Sequence, residues 1–150
     1  MIADNVSISD SDNICLYFDE ISNQKSLYPK HRYWECMAMI NIANGIMENG
    51  VNRYIEISSV EKEKQRVKTI ERYEKKILRS IQWIEKKIEE FNSEELTMDQ
   101  IAVACALDYT SFRFSDKWGM NNPKLYKWMK EFSENQYLQE TKPGVSFKYE

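Results

Sequence analysis

The residues able to do chemistry are few and scattered. His31 is the only histidine, so no histidine pair can ligate a metal, and a nucleophile dyad would need a partner that the sequence does not identify. Its plain role is a partly exposed residue at a helix N-terminus. Cys15, Cys36 and Cys105 are odd in number and sit within apolar helical patterns. They read as buried small hydrophobes of a reducing compartment, and support neither a disulfide frame nor a Cys-x-x-Cys zinc site. Asp10-Ser11, just ahead of an apolar run, is most simply an N-cap. Tyr33, Trp34 and Met37 make an aromatic and thioether surface, and core packing at helical spacing explains the same residue types. No metal site and no catalytic residue emerge.

The elements that must carry these groups are helices almost throughout. Ile14, Tyr17, Phe18 and Ile21 recur at helical spacing behind a strand-like Val6-Ser7-Ile8, predicting a short amphipathic helix and then a linker from Asn23 to Pro29. From about Lys30 to Asn49 the pattern is apolar on two faces, as in an interior helix, and Asn49-Gly50 predicts its end, with an irregular connection over 51–59. A long helix is expected from about Val60 to Asn92, with Val67, Ile70, Ile77, Ile81, Ile84 and Ile88 on one stripe. Opposite runs a basic stripe of Lys64, Lys68, Arg72, Lys75 and Arg79. It lacks interleaved aromatics and has glutamates beside it, so a solvated face is the better reading than a nucleic-acid surface.

The stretch from Leu96 to Pro123 is the most specific. Thr97 and Gln100 have capping-box spacing, Leu96 and Ile101 flank them as a hydrophobic staple, and Ala102, Ala104, Cys105 and Ala106 are small enough to let neighbouring helices approach closely. Such a helix belongs in the middle of a bundle. Pro123 then opens a helix carrying Leu125, Trp128, Met129 and Phe132.

Composition agrees with one soluble domain. The chain has 150 residues, 42% of them hydrophobic, and a net charge of −3, which allows a real core and gives no global pull toward nucleic acid or anionic lipid. There is no basic and apolar leader at the N-terminus, and no apolar run approaches bilayer length. A cytoplasmic location is the expectation, with no nucleic-acid or membrane partner.

The capped small-residue helix, the Asp108-Tyr109 and Phe112-Arg113-Phe114 exit, and Trp118 before Pro123 together resemble the C-terminal helical domain of bacterial-type cytosolic glutathione S-transferases. A second match lies upstream: Asp10-Ser11 through Ile14, Tyr17 and Asp19 resembles the run that ends the thioredoxin-like domain of that family. Tyr28-Pro29 stands at the family's start of the helical domain, and Asn44-Gly45-Ile46 stands where Asp-Gly-Ile is usual. The resemblance covers about residues 4 to 143. It implies an all-α fold, a helical bundle of the glutathione transferase C-terminal type with a short thioredoxin-like remnant. The implied divisions are a remnant strand and helix over 1–22, a linker over 23–29, the helical domain over 30–143 and a tail over 144–150.

By the same resemblance, Asp10 and Ser11 would hold the γ-glutamyl carboxylate of glutathione, and Tyr33, Trp34 and Met37 would line the electrophile pocket. Gln100 departs from the family's usual Asp, at a cost of ~0.5 kcal/mol in helix-dipole stabilisation. The family's catalytic Tyr, Ser or Cys and its cis-proline would precede residue 1, and none of Pro29, Pro123 and Pro143 can take the latter role. Two functions follow. In one, the chain is the helical part of a glutathione transferase, inactive by itself, with glutathione as co-substrate only when the missing half is supplied by an upstream segment or a separate polypeptide; the helical part would give pocket wall and dimer contacts. In the other, it is a non-catalytic protein–protein interaction module of transferase-like fold. A homodimer or a partner protein is expected in either case.

Overall fold

The computed structural model describes residues 1–3, 5–93 and 95–141. Two short strands, β1 (Ile2–Ala3) and β2 (Val6–Ser7), pair antiparallel in the register Ile2 to Ser7 and Ala3 to Val6. Among the described residues six helices follow: α1 (Ser11–Ile21), α2 (Tyr33–Ser58), α3 (Val67–Phe91), α4 (Met98–Arg113), α5 (Pro123–Phe132) and α6 (Gln136–Glu140). Short 3-10 turns at Lys30–Arg32, Lys62–Lys64 and Asp116–Asn121 join them. The tail expected over 144–150, like residues 142–143, lies outside the described residues.

The core is a bundle of α2, α3 and α4, closed at one end by α5. Cys36, Met39, Ile40, Ala43 and Ile46 of α2 face Ile77, Ile81, Ile84 and Ile88 of α3 and Val103, Ala106 and Leu107 of α4, all buried. Each fully buried isoleucine contributes about 2–3 kcal/mol of transfer free energy. The alanines of α4 allow that helix to sit centrally, because side chains no larger than a methyl keep the helix axes close. Phe91, Trp128 and Phe132 form an aromatic stack at the α3–α5 contact, with ring centroids 5.4 Å and 4.8 Å apart. Trp118 is buried and spends its indole N–H on Ser111 Oγ at 2.9 Å, as a buried indole must.

Two helix boundaries differ from expectation. The helix predicted to stop at Asn49-Gly50 runs on to Ser58. Asn49 turns its amide back onto the Gly45 carbonyl at 2.6 Å, and Gly50 is buried where a Cβ would stand 2.8 Å from Tyr109 Cε1. That glycine serves the close approach of α2 and α4, not a helix end. The long helix begins at Val67 and not at Val60. Glu56, buried near the end of α2, accepts from the Arg66 backbone N–H at 2.9 Å and from its guanidinium at 2.5 Å, which fixes the turn just ahead of α3.

Side chains satisfy the starts of α4 and α5 and the end of α3. Gln100 Oε1 accepts from the Thr97 N–H at 3.0 Å, and the Thr97 hydroxyl reciprocates in a complete capping box. Gln100 Nε2 donates to the carbonyls of Phe91 and Ser93 at 3.2 and 3.0 Å. An aspartate could not do this, so the glutamine that departs from the family pattern ties α4 to the end of α3. Glu85 of α3 accepts from the Leu125 N–H at 2.7 Å and the Lys124 N–H at 3.2 Å, supplying a carboxylate to the N-terminus of α5.

Candidate functional site

At the start of α1, Asp10 has a φ of 72°, a left-handed conformation uncommon for a residue with a Cβ. Its carboxylate accepts from the Asp12 N–H at 2.9 Å, so the cap expected of it is formed. Ser11 is exposed. Its hydroxyl and N–H have no partner among the described residues, and both stand in the positive field of the helix start. Asp12 accepts from Asn44 Nδ2 at 2.7 Å. The asparagine that replaces a usual aspartate therefore joins α1 to α2, where an aspartate would have met a like charge.

The linker after α1 is pinned from both sides. Asp19 accepts from the Ser26 hydroxyl at 2.6 Å and the Leu27 N–H at 2.7 Å, and the Leu27 carbonyl accepts from Met98 at the start of α4 at 2.9 Å. These bonds leave a cleft of about 600 Å³ between α1, the linker, α4, the end of α5 and α6. Phe18, Leu96, Ile101, Cys105, Phe132 and Leu138 give it an apolar wall.

The cysteines depart from expectation. Cys36 is buried, but Cys15 is only half-buried and Cys105 is exposed, with Cys15 and Cys105 both on the cleft wall. The reason is that α4 turns Ala102, Val103, Ala104 and Ala106 into the bundle and leaves position 105 facing out. The cleft surroundings still raise both thiols: burial first and then Asp12 for Cys15, burial first and then Asp108 for Cys105. Cys36 is pushed up to about 11 by burial and by Asp99. All three are thiols, not thiolates, near neutral pH, and so are weak nucleophiles. Burial, reinforced by Cys15, Asp12 and Asp19, also holds the Tyr28 hydroxyl well above its ordinary value, and thus neutral.

Tyr33, Trp34 and Met37 lie in the first turns of α2, outside the cleft lining. Tyr33 and Trp34 meet edge to face with centroids 5.2 Å apart. Tyr33 and Met37 are half-buried against the core, whereas Trp34 is 79% exposed. His31 is exposed in the turn before α2. Among the described residues no three His, Cys, Asp or Glu side chains gather as a metal site, and no helix is long and apolar enough to cross a membrane.

Sequence reasoning singled out the start of α1 and the capping box but not the cleft. The cleft is assembled from α1, the linker, α4, the end of α5 and α6, and its sequence sign is the pair Leu96 and Ile101, read there as a staple. Asp99 was also missed. It is fully buried and bonded to Arg32, although an acid in a first helical turn normally reads as a solvent-exposed dipole partner.

No protein-family model and no curated protein matches this chain. Solved structures do. A glutathione transferase family member from Pseudomonas fluorescens Pf-5 with bound glutathione superposes with a TM-score of 0.87 at 28% identity, over 92% of this chain and 69% of that one. A structure of the family member from the same organism with bound S-(propanoic acid)-glutathione gives 0.90 at 28% identity, over 97% and 76%. A glutathione S-transferase from Methylobacillus flagellatus KT with glutathione bound gives 0.84 over 93% and 72%; at 22% identity it speaks for the fold alone. Over nearly its whole length this chain resembles the C-terminal helical domain of the glutathione transferases, with a small thioredoxin-like remnant in front.

Proposed function

We propose that this chain is the helical half of a glutathione transferase, working in the cytoplasm with a thioredoxin-like half that carries the thiol-activating residue. The observation that carries this reading is the start of α1. Asp10 spends its carboxylate on the cap at a positive φ, and Ser11 beside it has a hydroxyl and N–H without a partner among the described residues. That arrangement suits the γ-glutamyl carboxylate of glutathione, whose charge the helix terminus favours. In the transferase reaction the glutathione thiol is deprotonated and its thiolate attacks an electrophile. The chain's part would be to hold glutathione by its carboxylate and to wall the electrophile pocket with Tyr33, Trp34 and Met37.

The cleft beside α1 and α4 is the seat of the thioredoxin-like half in this reading, because it is apolar, continuous with α1 and large enough to accept packed side chains. The outer face of α2 is the dimer contact. No charged residue occurs from Cys36 to Met47, and Ala38 and Asn41 are exposed there, in a chain with 30% charged residues. The interaction-module alternative shares these surfaces and lacks only the glutathione role.

Titration of the 15N-labelled chain with glutathione tests the reading. Shifts confined to residues 10–13, saturating at millimolar concentration and lost in Ser11→Ala, are expected. No shift, or shifts equally large in Ser11→Ala, would leave only the interaction module.

A further inference from the structure

We propose that the outer face of α3 is a docking surface for an acidic helical segment of a partner protein. Lys68, Arg72, Lys75, Arg79 and Lys86 each lie two positions from a core-facing residue or its helical equivalent, about 200° around the helix. They therefore project away from buried Ile77, Ile81, Ile84 and Ile88. All five are exposed, as is Lys76 beside them. The row is about 27 Å long at 1.5 Å per residue, and Lys68, Arg72, Lys75, Lys76 and Arg79 border, with Glu71, a shallow groove of about 400 Å³.

The acids of α3 do not neutralise this row, because nearly all are engaged elsewhere. Glu74 pairs with Arg53, Glu89 with Lys124 and Glu90 with Lys87, while Glu85 accepts from the backbone of α5. Glu71 alone adjoins the row with no pair of its own among the described residues. None of Lys68, Arg72, Lys75, Lys76, Arg79 and Lys86 has an ion-pair partner among those residues either; Arg72 only lies over the Tyr73 ring at 5.8 Å. Intramolecular bonds thus engage every α3 carboxylate but Glu71 and leave, among the described residues, a narrow strip of unpaired positive charge on a chain whose net charge is −3.

The width of the strip selects the partner. A membrane or a nucleic-acid duplex is broad, and would meet the net negative remainder of the chain as well as the strip. Single-stranded nucleic acid needs stacking platforms for successive bases, whereas the aromatics beside the row among the described residues are Tyr73, half-buried next to Arg72, and Trp83 further along. A helix with glutamates spaced by four, three, four and seven residues is narrow and has the same rise, so its carboxylates meet the five cations in register.

A fluorescein-labelled peptide with glutamates at that spacing in an Ala/Gln background tests this against the full chain. Saturable binding at about 50 mM salt, lost by about 300 mM as screening shortens the reach of each charge, is expected. Lys68→Glu, Arg72→Glu, Lys75→Glu and Arg79→Glu together should weaken it at least about tenfold, the effect of removing several weak surface contacts at once. The same charge change made at Lys30, Lys117, Lys127 and Lys130 should leave it within about twofold. If the quadruple reversal does not fold by circular dichroism, the corresponding glutamine set replaces it. Absence of saturable binding, equal loss in the control set, or tighter binding to a thymidine 20-mer or to phosphatidylserine vesicles would overturn the proposal.

Discussion

Arg32 holds Asp99 in a two-pronged bond across the bundle: Nη1 donates to Oδ2 at 2.6 Å and Nη2 to Oδ1 at 3.3 Å, with Nη2 also 3.2 Å from Thr97 Oγ1. Asp99 is fully buried. One residue in the turn before α2 thereby fixes the first turn of α4, the helix on which the cleft is built. The fork of a guanidinium matches a carboxylate in a way that a lysine cannot.

Removing Arg32 leaves a buried charge without its partner. Arg32→Met should destabilise the fold by about 3–5 kcal/mol, and the double replacement Arg32→Met with Asp99→Leu by clearly less, since the pair goes together. Urea unfolding of both variants checks this. A double variant as unstable as the single one would show that packing, not the charge, sets the cost.

Gly45 and Gly50 lie in the same helix and should respond with opposite signs. A Cβ on Gly45 meets nothing within 4 Å, whereas one on Gly50 falls 2.8 Å from Tyr109 Cε1. Gly45→Ala should therefore stabilise by about 0.5–1 kcal/mol through helix propensity. Gly50→Ala should destabilise by about 1–3 kcal/mol as an overpacked contact, despite the same propensity gain. Thermal melts of the two variants give the comparison directly.

That contrast also marks what the sequence could and could not display. The stripe of Ile77, Ile81, Ile84 and Ile88 repeats along one helix, so periodicity alone placed it in the core. Thr97 and Gln100 are three residues apart, so their capping box was equally legible. Asn49-Gly50 misled because the same dipeptide that ends helices also suits close helix packing, and only Tyr109, 59 positions away, decides between them. Gln100 was read as a weakened cap; its bonds to the carbonyls of α3 depend on where that helix ends. Asp10 and Ser11 were visible as an N-cap, but the positive φ of Asp10 is a backbone fact. The cleft and the Arg32–Asp99 pair join residues far apart in the chain, and no local pattern announces either.

The Glu56–Arg66 bonds predict an acid-sensitive step. Hydrogen bonds from the Arg66 side chain and backbone, then the charge of that guanidinium, lower the Glu56 carboxyl below its ordinary 4.5. A depressed carboxylate contributes stability that is complete above the unfolded value and is lost as pH falls through the folded one. The chain should thus lose stability as pH drops below 4.5, and Glu56→Gln should be less stable at neutral pH but lose less across that window. Urea midpoints between pH 6 and pH 3 read both effects. Parallel curves for the two proteins would remove Glu56 from the account.

Thiol labelling reads the cleft. Cys105 is exposed and Cys36 is buried with its thiol pushed up to about 11. In the free chain at pH 8, iodoacetamide should modify Cys105 first and leave Cys36 intact until unfolding, with Cys15 between them. In the assembly with a thioredoxin-like half, Cys105 should be protected. Mass mapping of the labelled peptides distinguishes the sites, and unchanged Cys105 labelling in the assembly would mean that the cleft is not its seat.

The most direct test of the central claim is the intact mass and transferase activity of the native protein isolated from its own cells, set against the 17.9 kDa of this chain. The account predicts an assembly that contains a thioredoxin-like segment or polypeptide beyond this chain and conjugates glutathione, while the 17.9 kDa chain alone does not. An assembly of this chain only, or conjugation by the purified 17.9 kDa chain above a heat-treated control, would contradict it.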